Sequence, residues 1–227
     1  LAKDHRVYAL DLNHLFGVGA TRSLQDHARS IHRFMIRAQI QEARVVGHSM
    51  GAGVGIHLAA MAPQRVAALT LLGSLGLTPH MALTLCQLPG IATLVSALGP
   101  RMPGPIQAWL SRIFLMTLYN GSGPQASPEA LREQSDLIAP GALQTTLFTA
   151  RAANLKALRA ACRQVQAPSL ILHGTEDHLV SADRALELLE NMNRAQLALI
   201  DGAGHMLHVE QAEEVNARLL KFWKQAT

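Results

Sequence analysis

Val45-Val46-Gly47-His48-Ser49-Met50-Gly51 decides the reading of this chain. Ala43–Gly47 is a short β-prone run, and Met50–Ala62, rich in small residues and stopped by Pro63, follows at once as a helix. No loop residues separate them. The turn at Ser49 is then tight enough to strain its backbone, and bulky side chains two positions to either side would collide, which Gly47 and Gly51 avoid. The strain lifts the serine hydroxyl clear of the sheet, while the helix start turns backbone N–H groups towards the same spot. Ser49 is therefore a candidate nucleophile, and His48 beside it is expected to point away and pack or line a pocket.

Working outward, the same alternation recurs. Arg6–Leu12 is a β-prone run ending near a carboxylate, and Ser23 can cap a helix from Leu24 to about Gln41. Val66–Leu72 is continuously apolar, as strands buried on both faces are. Residues 77–160 then change character and read as helical pieces punctuated by Pro and Gly. Beyond them come a strand at Ser169–His173, a helix at Ala182–Asn191, a strand at Gln196–Ile200 and an amphipathic helix at Glu210–Lys224. This is the grammar of an α/β fold with a mostly parallel sheet flanked by helices. Residues 1–76 and 161–227 form its core and 77–160 an inserted helical lid.

A serine hydroxyl needs a base to take its proton. Of eleven histidines, His205 lies in Asp201-Gly202-Ala203-Gly204-His205, a glycine-rich loop just past a strand, from which a side chain can reach over the sheet's carboxyl end. His208 is the competitor, closer to the last helix and better placed to pack or cap. The base in turn needs a carboxylate to fix its tautomer and steady its charge. Asp177, again just after a strand, is preferred to its neighbour Glu176, to Asp183 at a helix start, and to Asp201, which suits shaping its own loop.

Val45–Gly51, Leu170-Ile-Leu-His-Gly-Thr-Glu-Asp177 and Gly202-Ala-Gly-His205 together resemble the nucleophile, acid and histidine motifs of the α/β-hydrolase family, in that family's chain order. The resemblance covers essentially the whole chain, with 77–160 in the place of the helical lid. It implies a serine hydrolase with Ser49 as nucleophile, His205 as base, Asp177 as orienting acid and the Met50 N–H as an oxyanion donor. A serine at this turn sets the chain apart from the family's haloalkane dehalogenases and epoxide hydrolases, which carry aspartate there. The stretch Asp201–Glu210 also resembles the hydrolase-like domain of some acetoin dehydrogenase acyltransferase subunits.

The chain departs from the family at its beginning. It resembles the family from the fourth strand onward, so the earlier strands and the loop that donates the second oxyanion N–H have no counterpart. The third strand of that sheet is central, and its loss would leave buried backbone groups unpaired. The expectation is a longer natural protein, with about 50–60 further residues upstream. The alternative is that Arg6–Leu12 pairs directly beside Ala43–Gly47. After Asp11, Asn13-His-Leu-Phe-Gly17-Val-Gly19 replaces the family's usual Pro-Gly-x-Gly turn.

Composition narrows the function. With 49% apolar and 16% charged residues in 227, the chain is globular, not disordered or fibrous. Residues 1–65 carry eight Lys/Arg against four Asp/Glu, partly as the stripe Arg29, Arg33, Arg37, but only 4% of residues are aromatic. A solvated helix face, not a nucleic-acid surface, is expected. Val66–Pro100 has no charged residue, yet Gly73, Gly76, Pro79, Pro89 and Gly90 break it, so no membrane span is expected. Cys86 and Cys162 suit neither a disulfide scaffold nor a metal site.

The reading expects a cofactor-free, metal-free cytoplasmic hydrolase of a carboxylic ester, lactone or related acyl compound. Met81, Leu85, Leu94, Met102, Trp109, Phe114, Met116 and Phe148 make the lid apolar, which favours a small-molecule substrate with an apolar group. Carbon–carbon bond hydrolases, thioesterases and acyltransferase-type domains use the same triad, and a non-catalytic binding protein of this fold is the remaining alternative.

Overall fold

Helix α1 (Leu24–Arg37) starts where Ser23 can cap it. The Ser23 hydroxyl accepts the Asp26 N–H at 3.2 Å and the Asp26 carboxylate accepts the Ser23 N–H at 3.1 Å, which satisfies two amides that a helix start leaves open. The helix ends four residues short of Gln41 because Gln39 turns into the left-handed region, φ 55°. There Gln39 N–H meets the Ile36 carbonyl at 3.1 Å and Ile40 N–H the Met35 carbonyl at 2.8 Å, a Schellman closure made without glycine. These features come from a computed structural model that describes residues 2–10, 12, 23–78 and 152–226.

Four strands, β1 (Ala43–His48), β2 (Val66–Leu72), β3 (Ser169–Gly174) and β4 (Ala195–Ile200), form one parallel sheet in the order β1-β2-β3-β4. Between them run α2 (Met50–Met61), α3 (Ala152–Cys162) and α4 (Asp183–Asn191), and after them α5 (Leu207–Glu210) and α6 (Ala212–Gln225). Successive side chains of a strand point to opposite faces, so the strands feed two cores. Leu69, Leu71 and Ile171 join α1 to α4 through Leu24, Ile56, Leu158 and Leu188 on one face. Leu72, Leu170, Leu172 and Ile200 meet Val215, Leu219, Phe222 and Trp223 of α6 on the other. Every residue of β3 is buried, Ser169 and His173 included, with Leu170-Ile171-Leu172 apolar between them.

Register brings the functional loops together. His48 pairs with Leu72, Leu72 with Leu172, and Gly174 with Ile200, so the chain leaves β1, β2, β3 and β4 at one common rim. Ligand sites of parallel α/β sheets gather outside such carboxyl ends.

Two expectations need correcting. Residues 6–10 of the Arg6–Leu12 run are irregular and do not pair with β1; Val7 and Tyr8 are exposed, with the Tyr8 ring on Phe34 at 5.7 Å. A β-prone run becomes a strand only where a ladder receives it, and among the described residues β1 pairs with β2 alone. The closing helix is two helices, parted at Gln211 (φ −127°, ψ 47°), where the Glu210 carboxylate turns back to accept the Gly204 N–H at 3.1 Å. Helix α3, read as the end of the insertion, buries Leu155 and Leu158 and packs in the layer of α2. The rest of the 77–160 insertion lies outside the described residues apart from 77 and 78, as do Cys86 and the segment 13–22.

Leu77 N–H and the Thr78 hydroxyl are held by the Glu187 carboxylate of α4, at 3.0 and 2.6 Å. Cys162 is free and buried, and burial pushes its thiol up to about 12, so it is chemically quiet. Among the described residues no helix is long and apolar enough to cross a membrane.

Replacing Ser23 by Ala removes the hydroxyl arm of the α1 cap and leaves the Ser23 N–H bond to the Asp26 carboxylate in place. It should lower unfolding free energy by about 1 kcal/mol in urea titrations, with no change in fold by circular dichroism.

Candidate active site

The turn between β1 and α2 is as tight as its sequence requires. Ser49 sits at φ 51° and ψ −116°, a strained conformation for a residue with a side chain, and its N–H is anchored on the Leu72 carbonyl at 2.9 Å. A Cβ at Gly47 would overlap the Gly51 carbonyl oxygen and lie 2.7 Å from the Ala52 nitrogen. The steric demand falls on Gly47 alone: a Cβ at Gly51 meets nothing within 4 Å among the described residues, contrary to the expected symmetry. What crowds Gly47 is the backbone of Gly51. Met50 is the first residue of α2, so its N–H has no carbonyl four residues back to bond.

His205 and Asp177 converge on this serine from two other loops. His205 Nε2 lies 3.0 Å from the Ser49 hydroxyl, and its Nδ1 2.8 Å from Asp177 Oδ2. A carboxylate only accepts, so Nδ1 carries the proton and Nε2 is free to accept from the hydroxyl. Imidazole and carboxylate are both buried, His205 at 2% and Asp177 at 7% exposure, which strengthens their pairing. The other Asp177 oxygen accepts the N–H groups of Leu179 and Val180 at 3.0 and 2.8 Å. Burial resists ionisation of Asp177, but His205, the Val180 N–H and His173 outweigh it and hold its pKa below the usual carboxylate value.

The rivals fall elsewhere. Glu176 and Asp183 are exposed, and Asp201 accepts from the Thr175 hydroxyl at 3.4 Å on the exposed side of its loop. His208 stands on α5 with its ring 4.5 Å from that of His48. His48 itself does not merely fill space: its Nε2–H donates to the His205 carbonyl at 2.9 Å.

Three supporting residues carried no role in the sequence reading. Gly73, at φ 49°, lets the end of β2 touch His205; a Cβ there would stand 3.2 Å from its carbonyl oxygen and 3.3 Å from Nδ1. His173, fully buried, donates Nε2–H to the Val180 carbonyl at 2.8 Å and steadies the loop of Asp177. Glu210 ties Gly204, one residue before His205. A glycine immediately after β2 and a polar residue near the carboxyl end of β3 were the available signals for the first two. The grip of Glu210 depends on a helix break that local sequence does not announce.

The chain matches the alpha/beta hydrolase fold family over residues 1–212 and belongs to it. It is 31% identical over 229 residues to the dihydrolipoyllysine-residue acetyltransferase component of the acetoin cleaving system of Pseudomonas putida, covering 98% of this chain and 57% of that protein. It is 26% identical over 204 residues to 2-hydroxy-6-oxo-6-phenylhexa-2,4-dienoate hydrolase of Comamonas testosteroni, covering 88% of this chain and 68% of that one. Among solved structures, a hydrolase of the same name from Rhodococcus sp. strain RHA1 superposes with a TM-score of 0.69 at 21% identity, over 88% of this chain and 70% of that one. The chain thus spans between 57% and 68% of the length of these two sequence relatives.

Gly47→Ala should lower unfolding free energy by about 1–3 kcal/mol, while Gly51→Ala is neutral or stabilising by up to about 0.8 kcal/mol; urea titrations of the two variants test the asymmetry.

Two histidines make stability depend on acidity. Burial, reinforced by His205 and His208, pushes His48 down to about 3 from 6.5. Burial and the Arg29 charge push His57 down to about 4. The unfolded chain binds these protons more readily, so their contribution is complete above pH 6.5 and is lost as pH falls towards 4 and below. The urea midpoint should therefore fall steadily from pH 7 to pH 4.5; identical midpoints would exclude the effect.

Proposed function

We propose that this protein is a serine hydrolase that cleaves a carboxylic ester, lactone or related acyl compound bearing an apolar group. The observation that carries the reading is the unbroken hydrogen-bonded path from Asp177 through His205 to Ser49, at 2.8 and 3.0 Å. The Ser49 oxygen attacks the substrate carbonyl as its proton passes to His205 Nε2, and Asp177 balances the imidazolium that forms. The Met50 N–H is the donor assigned to the oxyanion. Collapse of the adduct breaks the bond to the leaving group, which takes the proton from His205 and departs. Water, giving its proton to the same nitrogen, then attacks the acyl-serine; its collapse returns that proton to Ser49 and frees the acid. No cofactor or metal enters these steps. The apolar preference rests on the side chains of residues 77–160, such as Leu85, Trp109, Phe114 and Phe148.

A second reading is favoured by the relatives. The C. testosteroni hydrolase named above and the 2-hydroxymuconate semialdehyde hydrolase of Pseudomonas sp. strain CF600, 27% identical over 225 residues, bear names that place their substrates among unsaturated oxo acids, a ketone in the first and an aldehyde in the second. The same serine and imidazole can break a carbon–carbon bond next to a ketone, with the proton returned to carbon instead of oxygen. The acetyltransferase relative supports an acyl acceptor other than water. Turnover of p-nitrophenyl esters set beside that of a 2-hydroxy-6-oxo-hexadienoate separates these readings.

A fluorophosphonate probe should label Ser49 in the wild-type chain. Ser49→Ala should abolish labelling and lower ester turnover by on the order of 10⁴-fold or more. A folded wild-type protein that takes up no probe and turns over neither substrate would instead be a binding member of the fold.

A further inference from the structure

We propose that His48 is a positioning residue for His205: its ring N–H holds the backbone carbonyl of the base and so fixes the imidazole at its distance from the Ser49 hydroxyl. The proposal rests on the reading of Ser49, His205 and Asp177 as the reacting set.

The His48 Nε2 to His205 O distance is 2.9 Å, and since a carbonyl can only accept, the donor is the imidazole. His48 is bonded in sequence to Ser49, and its backbone stands in register with Leu72 at the end of the β1–β2 ladder. One side chain thus ties the loop that carries the base to the strand end that carries the nucleophile, 156 residues apart in the chain. Its ring lies 4.9 Å from that of His205 and 4.5 Å from that of His208, so it is itself held between two neighbours. Gly73 abuts the same carbonyl and Nδ1 of His205. The remaining ties of the loop act one or more residues away: Thr175 on Gly202, Glu176 N–H on Ala203 and Glu210 on Gly204. Among the described residues, His48 is the side chain that grips the backbone of His205 itself. Burial keeps it uncharged far below neutrality, so it faces His205 as a neutral donor.

A group that only fills space and a group that positions are separated by variants of matched size. His48→Phe retains a ring and loses the donor. His48→Gln places an amide N–H at about the reach of Nε2. In the full chain, both the rate of fluorophosphonate labelling at Ser49 and kcat on p-nitrophenyl acetate should fall about 10- to 100-fold in His48→Phe, with KM changed by less than about threefold. His48→Gln should recover most of the loss. A His48→Phe protein that labels like wild type overturns the proposal, and so does a folded His48→Gln protein as impaired as His48→Phe. Should the phenylalanine variant fail to fold, His48→Asn replaces it, because its amide is one methylene too short to reach the carbonyl. Equal activity of the Asn and Gln variants then overturns the proposal. Absence of labelling in the wild type removes the hydrolase reading and the proposal together, whereas a labelled wild type with an unaffected variant removes the proposal alone.

Discussion

The chain passes from strand to helix at Ser49 in a single residue, and the φ of 51° that this requires is a standing cost of roughly 1–3 kcal/mol. Packing on either side sustains it. The β1–β2 ladder and the Ser49 N–H bond to Leu72 fix the approach, and α2, with eight buried residues, fixes the departure. Small residues let that helix lie close: Gly53 faces Leu24 of α1, and Gly55 faces Leu69 of β2. Any shift of α2 relative to the sheet would move the hydroxyl, so the two cores also set the geometry of the site.

Two other loops must find this hydroxyl, and each is held by an imidazole that donates to a main-chain carbonyl. His173 holds Val180 in the loop of Asp177, and His48 holds His205. Burial keeps His48 uncharged, so its bond to the carbonyl directs the His205 loop without adding charge beside the Asp177–His205 pair. Glycines complete the fit: Gly73 lets β2 approach His205, and Gly174 lets β3 approach Ala203 and Gly204.

Much of this was readable because it is local. Strand β2 announced itself through its apolar run, the Ser23 cap through residue type, and the three side chains proposed to react through their places just past β1, β3 and β4. What escaped reading depends on distant contacts. Gln39 closes α1 in a conformation that its own sequence does not favour, and Gln211 breaks the last helix where Glu210 turns to another loop. Arg6–Leu12 has the residue preferences of a strand, but a strand is a relation between two segments, and residues 6–10 stay outside the sheet with the Tyr8 ring on Phe34 of α1. The symmetry expected of Gly47 and Gly51 failed for a similar reason. The collision involves a main-chain carbonyl, which a pattern of side chains does not display.

Leu72 and Leu172 are partners across the β2–β3 pair, although a hundred positions of chain separate them. Ribosomal synthesis is directional, so the hydroxyl at Ser49 emerges well before the imidazole and carboxylate that adjoin it in the finished fold. Joining ends so far apart is entropically slow and makes β2–β3 pairing a late event. On the proposed reading, a nascent polypeptide therefore holds an ordinary, unreactive alcohol until its C-terminal third has docked, and chemical competence arrives only with completed folding.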